Sequence, residues 1–225
     1  WGSGFDYMKY DLVLFDLDGT MLDTGNGICE CAWSVLDDLG LPKPDRQKMR
    51  LFVGPPLEIT FPTVAATDPE TTVKAAAMYR ARYDQYSDRG CIPYDGVINA
   101  LQFVHSLGKK TGAATLKKEY HARRMLMKYE IAPYLDFISG VDDEGKRDTK
   151  ELVVQHAMEG LGITDSSKVV LVGDTEYDAR GALAAGIDFI GVTYGYGFAT
   201  KEDVAKYPFV YAADSLYEVI DFLNK

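Results

Sequence analysis

Short apolar runs alternate along the chain with segments in which apolar residues recur every three or four positions. A short run bounded by turn-forming residues predicts a buried strand, and the wider spacing predicts an amphipathic helix. The predicted strands are 12–15, 111–115, 137–140, 169–174, 189–193 and 209–211. The predicted helices are 95–107 with Asp95 as its N-cap, 118–130, 149–161, 178–185, a short one after Ala199, and 215–223. Strands that alternate with helices favour an α/β protein with a parallel sheet.

The stretch after the first strand follows a different pattern. No segment from 25 to 89 predicts a strand, and its apolar spacing predicts helices at 27–40, 47–52, 58–66 with an interruption at Pro62, and 69 to about 86. This favours an all-helical domain, 24–89, inserted into a core made of 8–23 and 90–225. Residues 1–7 are expected to be a cloning remnant, with Met8 as the native start.

Composition narrows the class of protein. The 225 residues are 47% apolar and 26% charged, with a net charge of −10. That charge argues against a general nucleic-acid binder and leaves a small anionic substrate open. The absence of a long apolar run or a signal-like start predicts no membrane partner. Three cysteines (Cys29, Cys31 and Cys91) without metal-site spacing predict free buried thiols and a cytoplasmic protein. Nothing in the sequence distinguishes a monomer from a homodimer.

The first candidate site follows the first predicted strand. Asp16 and Asp18 lie on the same side of an extended chain, and Gly19 allows a sharp turn directly after them. Two close carboxylates raise each other's pKa unless a cation is near, and Mg²⁺ prefers such oxygen ligands. A carboxylate at a strand tip is also a candidate nucleophile towards phosphorus. On these residues alone, a turn followed by a helix cap is the competing interpretation.

The segment Asp16–Thr20 resembles the first motif of the haloacid dehalogenase (HAD) superfamily. The resemblance implies that Asp16 is a nucleophile and Asp18 a general acid and base whose main-chain carbonyl ligates Mg²⁺. It also implies that backbone N–H groups after Asp16, at Gly19 and Thr20, hold phosphoryl oxygens. The fold implied is a Rossmann-like parallel-sheet core with a small all-helical cap inserted after the first strand.

Two further motifs point to phosphate binding. Thr115 resembles the second motif, whose hydroxyl binds the transferring phosphoryl group, and Lys117 fits the same motif, although Leu116 stands where a polar residue is usual. A cap for the following helix is the alternative role of Thr115. Lys150, which opens a predicted helix, resembles a third-motif lysine that would offset phosphate charge. Lys146 is its competitor, and a solvated lysine is the ordinary alternative.

The clearest strand ends in the fourth motif. Asp174 and Asp178 match its Gly-Asp-x-x-x-Asp pattern and would ligate Mg²⁺, with a helix N-cap as the alternative role of Asp178. An unpaired carboxylate at a buried strand tip such as Asp174 is costly. Within the superfamily, the helical insert, the loop 53–57 and the segment 191–197 are most similar to the phosphoglycolate phosphatase and 5′-nucleotidase-like group. In loop 53–57, Gly54, Pro55 and Leu57 are the expected substrate-facing residues.

These motifs together imply a Mg²⁺-dependent phosphatase. Its substrate would be a small phosphomonoester such as phosphoglycolate, a nucleoside monophosphate or a sugar phosphate, hydrolysed through an aspartyl-phosphate. Two other hypotheses keep the same fold. One is phosphoryl transfer to a sugar, as in the related β-phosphoglucomutase, and the other is a non-catalytic binding protein.

Overall fold

A six-stranded parallel sheet forms the centre of the computed structural model, which describes residues 8–225; the expectation for residues 1–7 lies outside this range. The strands are β1 (Leu12–Phe15), β2 (Leu22–Asp23), β3 (Ile92–Pro93), β4 (Lys110–Lys118), β5 (Phe137–Val141), β6 (Val169–Gly173), β7 (Asp188–Val192) and β8 (Tyr211–Ala213). The helices are α1 (Gly25–Asp38), α2 (Arg46–Met49), α3 (Leu57–Ala65), α4 (Pro69–Arg82), α5 (Val97–Ser106), α6 (Glu119–Lys128), α7 (Lys150–Gly160), α8 (Glu176–Ala185), α9 (Lys201–Val204) and α10 (Leu216–Leu223). The predicted α/β fold is confirmed.

The first strand lies in the middle of the sheet. The strand order is β5-β4-β1-β6-β7-β8, and β1 pairs in parallel with β4 on one side and β6 on the other. Val13 and Phe15 pack into the apolar layer on one face, whereas Leu12 and Leu14 pack into the layer on the other. Burial on both faces explains why β1 is a continuous apolar run rather than an alternating one.

The helices α1 to α4 follow β1 and β2 and form a third apolar cluster of their own. Phe52 and Phe61 meet edge to face at 5.0 Å inside it, and Val35 and Leu36 are fully buried there. The chain enters and leaves this helical insert through β2 and β3, which pair antiparallel with Leu22 opposite Pro93. This short ribbon was not predicted, because two-residue strands leave no periodicity to detect.

Several element boundaries differ from the predictions. Helix α3 continues through Pro62. Helix α5 begins at Val97 after Gly96, whose φ of 85° suits glycine, so the expectation that Asp95 caps it was wrong. Strand β4 extends beyond Thr115 to Lys118, with a register shift after Ala114. None of the helices in residues 8–225 is long and apolar enough to cross a bilayer.

Candidate active site

The carboxyl ends of three adjacent strands bring the predicted site residues together. Asp16 follows β1, Thr115 lies in the last part of β4, and Asp174 follows β6. Asp16 and Thr115 line a cavity of about 530 Å³, as do Asp18 and Lys150. The sheet edge and the helical insert both contribute to its walls. The arrangement is the one expected for ligand binding at the carboxyl edge of a parallel sheet.

Lys150 makes the closest cationic contact with Asp16. Its Nζ lies 2.7 Å from Asp16 Oδ1 and 2.7 Å from Asp178 Oδ1, and it donates to the Ala114 carbonyl at 2.7 Å. The side chain is 4% exposed. Burial itself favours the neutral amine, but the Asp16 and Asp178 carboxylates raise the pKa of Lys150. The ammonium group therefore stays charged beside Asp16.

The competing lysine lies elsewhere. The Lys146 side chain is 80% exposed and pairs with Glu144 at 2.5 Å. Lys150 owes its position to the start of α7, where Thr149 accepts a hydrogen bond from the Leu152 N–H at 3.3 Å. Of the two lysines considered from the sequence, the structure brings only Lys150 to Asp16.

Three buried carboxylates form an acidic cluster. Asp16, Asp174 and Asp178 each offer an oxygen within 4.8 Å of the others. Burial raises the pKa of Asp16, with Lys150 acting in the opposite direction and the neighbouring carboxylates adding to the rise. Burial and then Asp178 raise the pKa of Asp174 to about 7. Hard oxygen ligands at this spacing, held together against their repulsion, fit Mg²⁺.

Backbone and side-chain hydrogen bonds hold this cluster in place. Asp174 accepts from Thr20 Oγ1 at 3.2 Å and from the Tyr196 N–H at 2.7 Å. Asp178 Oδ2 accepts from the N–H and Oγ1 of Thr175, at 3.0 and 2.8 Å, in a capping box at the start of α8. The N-cap of α8 is therefore Thr175 rather than Asp178, which the alternative interpretation had placed there, and Asp178 is both the N3 partner of that cap and a member of the cluster.

Asp18 is held separately from the acidic cluster. Its Oδ1 accepts from Thr24 Oγ1 at 2.6 Å, and its Oδ2 lies 3.1 Å from Lys117 Nζ. Lys117 also donates to the Tyr83 hydroxyl at 2.7 Å. Burial opposes the charged amine, but Asp18 raises the pKa of Lys117. The acidic side chains of the first motif therefore face two different lysines, Lys150 at Asp16 and Lys117 at Asp18.

A family model for haloacid dehalogenase-like hydrolases matches residues 13–192. The chain belongs to the haloacid dehalogenase-like hydrolase family. This match spans both the carboxylate cluster and the helical insert, so it covers every element that builds the cavity.

Individual HAD relatives agree with this membership. The chain is 34% identical over 216 residues to a protein of Mycobacterium tuberculosis named tyrosine-protein kinase PtkA, covering 95% of this chain and 72% of that protein. It is 30% identical over 211 residues to a 5′-nucleotidase of Pseudomonas aeruginosa, covering 92% and 93%. A solved predicted phosphatase from Clostridium acetobutylicum superimposes with a TM-score of 0.87 at 34% identity, covering 95% and 97%. The expected resemblance and the class of HAD-type phosphoric monoester hydrolase are confirmed.

Some of the remaining candidate residues line the cavity and others do not. Gly54, Pro55 and Leu57 line the cavity, and so does Leu116. Thr115 is 1% exposed, and its Oγ1 accepts from the Lys117 N–H at 3.1 Å.

Gly19 and Thr20 do not line the cavity in the part of the chain that the structure describes. Instead, Thr20 is fully buried and bonds Asp174. A Cβ at Gly19, whose φ is 83°, would lie 2.3 Å from Asp174 Oδ2. Glycine is therefore required there for close packing against the carboxylate cluster.

Three contacts of the candidate site residues were not predicted from the sequence. Thr24 bonds Asp18, Tyr83 bonds Lys117, and Tyr196 bonds Asp174 through its N–H. The tyrosine spacing at 79, 83 and 86 suggested packing, and Tyr83 does pack in the core of the insert. No local pattern marks Thr24 or Tyr196, because each contact depends on how distant segments meet.

Proposed function

We propose that this protein is a Mg²⁺-dependent phosphatase that hydrolyses a small phosphomonoester through an aspartyl-phosphate on Asp16. The observation that carries the proposal is the contact of Lys150 with Asp16 at 2.7 Å, at the edge of a cavity that also contains Asp18 and Thr115. An ionised carboxylate with one oxygen paired to a lysine has its second oxygen available to attack phosphorus.

In the first step, an Asp16 oxygen forms a bond to phosphorus and the bond from phosphorus to the leaving oxygen breaks. Asp18 gives its proton to that leaving oxygen. In the second step, Asp18 takes a proton from water, whose oxygen attacks phosphorus. The bond from phosphorus to Asp16 then breaks, so that free phosphate and the original carboxylate result.

Other side chains of the cavity would bind and orient the ester. Lys150 and the Thr115 hydroxyl hold the phosphoryl oxygens. The N–H groups of Gly19 and Thr20 are not part of this proposal, because they donate to the main-chain carbonyls of Leu22 and Leu17. Asp16, Asp174 and the main-chain carbonyl of Asp18 would hold Mg²⁺, and Asp178 would ligate it directly or through water. When bound, the ion supplies positive charge that offsets the phosphate and aligns it with the nucleophile.

The helical insert completes the proposal. Residues 24–89 would act as a lid that excludes water, with Gly54, Pro55 and Leu57 facing the leaving group. Their place in the cavity lining supports this role. We further propose that the protein is cytoplasmic, that it is a monomer or a homodimer, and that its binding partner is a small phosphate ester.

Phosphate release from a panel of phosphomonoesters tests the proposal, with Mg²⁺ and with EDTA. We expect turnover that requires Mg²⁺ and is lost in Asp16→Asn. Asp37→Asn is the matched control, since Asp37 lies on the surface of α1 and pairs with Lys43. Magnesium-dependent turnover that persists in Asp16→Asn would overturn the assignment of the nucleophile.

The relative named as a tyrosine-protein kinase adds one arm to this test. Incubation with ATP labelled on its γ-phosphate, with and without a tyrosine-containing peptide, separates hydrolysis from transfer. We expect no labelled peptide, because the phosphatase proposed here transfers its phosphoryl group to water. Labelled peptide in the parent protein but not in Asp16→Asn would replace the hydrolase proposal by one of phosphoryl transfer.

A further inference from the structure

The cavity at Asp16 is much larger than a phosphate group and a two-carbon alcohol require. Its volume of about 530 Å³ falls in the range of sites that enclose drug-sized ligands. The catalytic carboxylates occupy one part of its lining, and apolar side chains from the insert, including Ile28, Phe52 and Leu57, line another part. The leaving group therefore has room for a bulky, largely apolar body.

Aromatic rings form a continuous wall of this cavity, which we call the aromatic wall (Tyr79, Tyr83, His121 and Tyr120). Tyr79 and Tyr83 stack with their centroids 5.4 Å apart, and Tyr83 meets His121 edge to face at 5.3 Å. Tyr120 continues the wall at 5.4 Å from His121 and is 60% exposed. Ring faces and edges bind planar rings in preference to short aliphatic chains.

The charged side chains that line the cavity disfavour binding of a substrate with a second acidic group. Three of the cations among the described lining residues are paired with carboxylates: Arg80 with Glu58 at 2.5 Å, Lys117 with Asp18, and Lys150 with Asp16 and Asp178. Lys118 donates to the neutral main-chain carbonyls of Asp142 and Asp143. His121 Nδ1 lies 2.8 Å from Asp84, and burial lowers the pKa of His121, so its imidazole adds no positive charge at neutral pH. Asp143 and Asp148 add carboxylates to the lining. The described lining thus holds more carboxylates than cations, and a carboxylate on the leaving alcohol would add to this excess of negative charge.

We propose that the site hydrolyses phosphomonoesters of an uncharged, ring-bearing alcohol and rejects those whose alcohol carries a second acidic group. The inference rests on the proposed phosphatase activity. Nucleosides and tyrosyl groups are both uncharged alcohols that carry a planar ring, and this ring could pack against the aromatic wall. Phosphoglycolate, whose alcohol is small and carries a carboxylate, is the opposite case.

The first experiment compares kcat/KM for adenosine 5′-monophosphate, N-acetyl-phosphotyrosine amide and phosphoglycolate. We expect at least one ring ester to exceed phosphoglycolate by about tenfold or more, the scale on which sites reject poorly matched groups. The better of the two ring esters then identifies the source of the ring. Equal or better turnover of phosphoglycolate would overturn the inference while leaving the phosphatase proposal standing.

Product binding keeps the two proposals separable. Isothermal titration measures adenosine, N-acetyltyrosine amide and glycolate against the parent protein in phosphate buffer with Mg²⁺. We expect one of the ring alcohols to bind and glycolate not to bind. If no ester is hydrolysed but a ring alcohol binds, the phosphatase proposal fails and the specificity of the cavity stands. Binding of glycolate alone, or of none of the three, overturns the inference.

Two variants test the physical basis in opposite directions. Tyr120→Ala should lower kcat/KM for the preferred ring ester more than for phosphoglycolate, mainly through KM, because it removes part of the aromatic wall. Tyr217→Ala, at a tyrosine 45% exposed on α10, is the matched control. Glu58→Gln should raise kcat/KM for phosphoglycolate by freeing Arg80. Uniform losses for every ester in both variants would overturn the assignment.

Discussion

Lys117 Nζ lies 3.1 Å from Asp18 Oδ2, and the side chains of both residues are about one-tenth exposed or less. Its second partner is the Tyr83 hydroxyl, which belongs to the helical insert. The core and the insert therefore meet at the residue proposed to move the proton. The charge of Lys117 has little access to water, so its pairing with Asp18 determines how far its burial lowers the stability of the fold.

We expect Lys117→Met to destabilise the fold by about 3–5 kcal/mol, the usual cost of leaving a buried charge without its partner. Tyr83→Phe keeps the ring and removes one hydrogen bond from a charged donor, so its cost should be about 1.5–3 kcal/mol. Urea unfolding of both variants measures the two free energies. Equal losses would mean that the pairing of Lys117 with Asp18 adds no stability beyond its hydrogen bond to Tyr83.

Activity should separate the two lysines considered from the sequence. Lys150→Met removes the cation beside Asp16, and we expect kcat to fall by about 100-fold or more. Lys146→Met removes an exposed lysine of the same loop and should leave kcat within about twofold. Steady-state kinetics on the best ester measures both. A large loss in Lys146→Met would transfer the phosphate-binding role to that residue.

Gly181 of α8 packs directly against the side chain of Lys150. A Cβ there would lie 2.3 Å from Lys150 Cγ and 2.4 Å from its Cβ. Alanine is ordinarily the better helix former, but here it would push the lysine stem away from Asp16. We expect Gly181→Ala to lower kcat, and to have little further effect once Lys150→Met is present. Additive losses in the double variant would show that Gly181 acts by another route.

The stability of the metal-free protein should depend on pH through Asp174. Its folded pKa of about 7 lies above the ordinary value near 4, so the folded state binds the extra proton between those values. The stability contributed by Asp174 is complete below about pH 4 and is lost as the pH rises through about 7.

We expect the thermal unfolding temperature in EDTA to fall over this pH range, and the fall to be smaller in Asp174→Asn. Added Mg²⁺ should stabilise the protein more as the pH rises, because it binds the ionised carboxylates. A pH dependence unchanged in Asp174→Asn would contradict the assignment.

The sequence predicted those parts of the fold that local patterns determine. Strand β1, which directly precedes Asp16, is apolar at every position because both of its faces are buried, and this pattern can be recognised in the sequence alone. The predicted end of β4 at Thr115 was wrong because the pairing of Lys118 with Val141 depends on a neighbouring strand. The cap expected at Asp95 was wrong because Gly96 takes the turn.

In the candidate site, too, local patterns predicted some residues, and contacts between distant segments were not predicted. Motif spacing brought Asp16, Asp174 and Lys150 into consideration because each follows an apolar strand or opens a helix. The pairing of Lys117 with Asp18 and Tyr83 was not predicted, since it needs the insert to fold back over the sheet. Spacing along the chain identifies the end of an element and says little about which distant side chain meets it.

The pairing of Leu22 with Pro93 has a consequence for how such a protein can change. The helical segment leaves the sheet and returns to it at one two-residue ribbon, so its ends lie side by side. Extra or fewer residues between them alter the closure entropy only slowly with length. A different helical segment with the same ends can therefore be exchanged for this one while Asp16, Asp174, Asp178 and Lys150, whose contacts are with core residues, keep their positions. The chemistry and the choice of substrate can thus evolve separately.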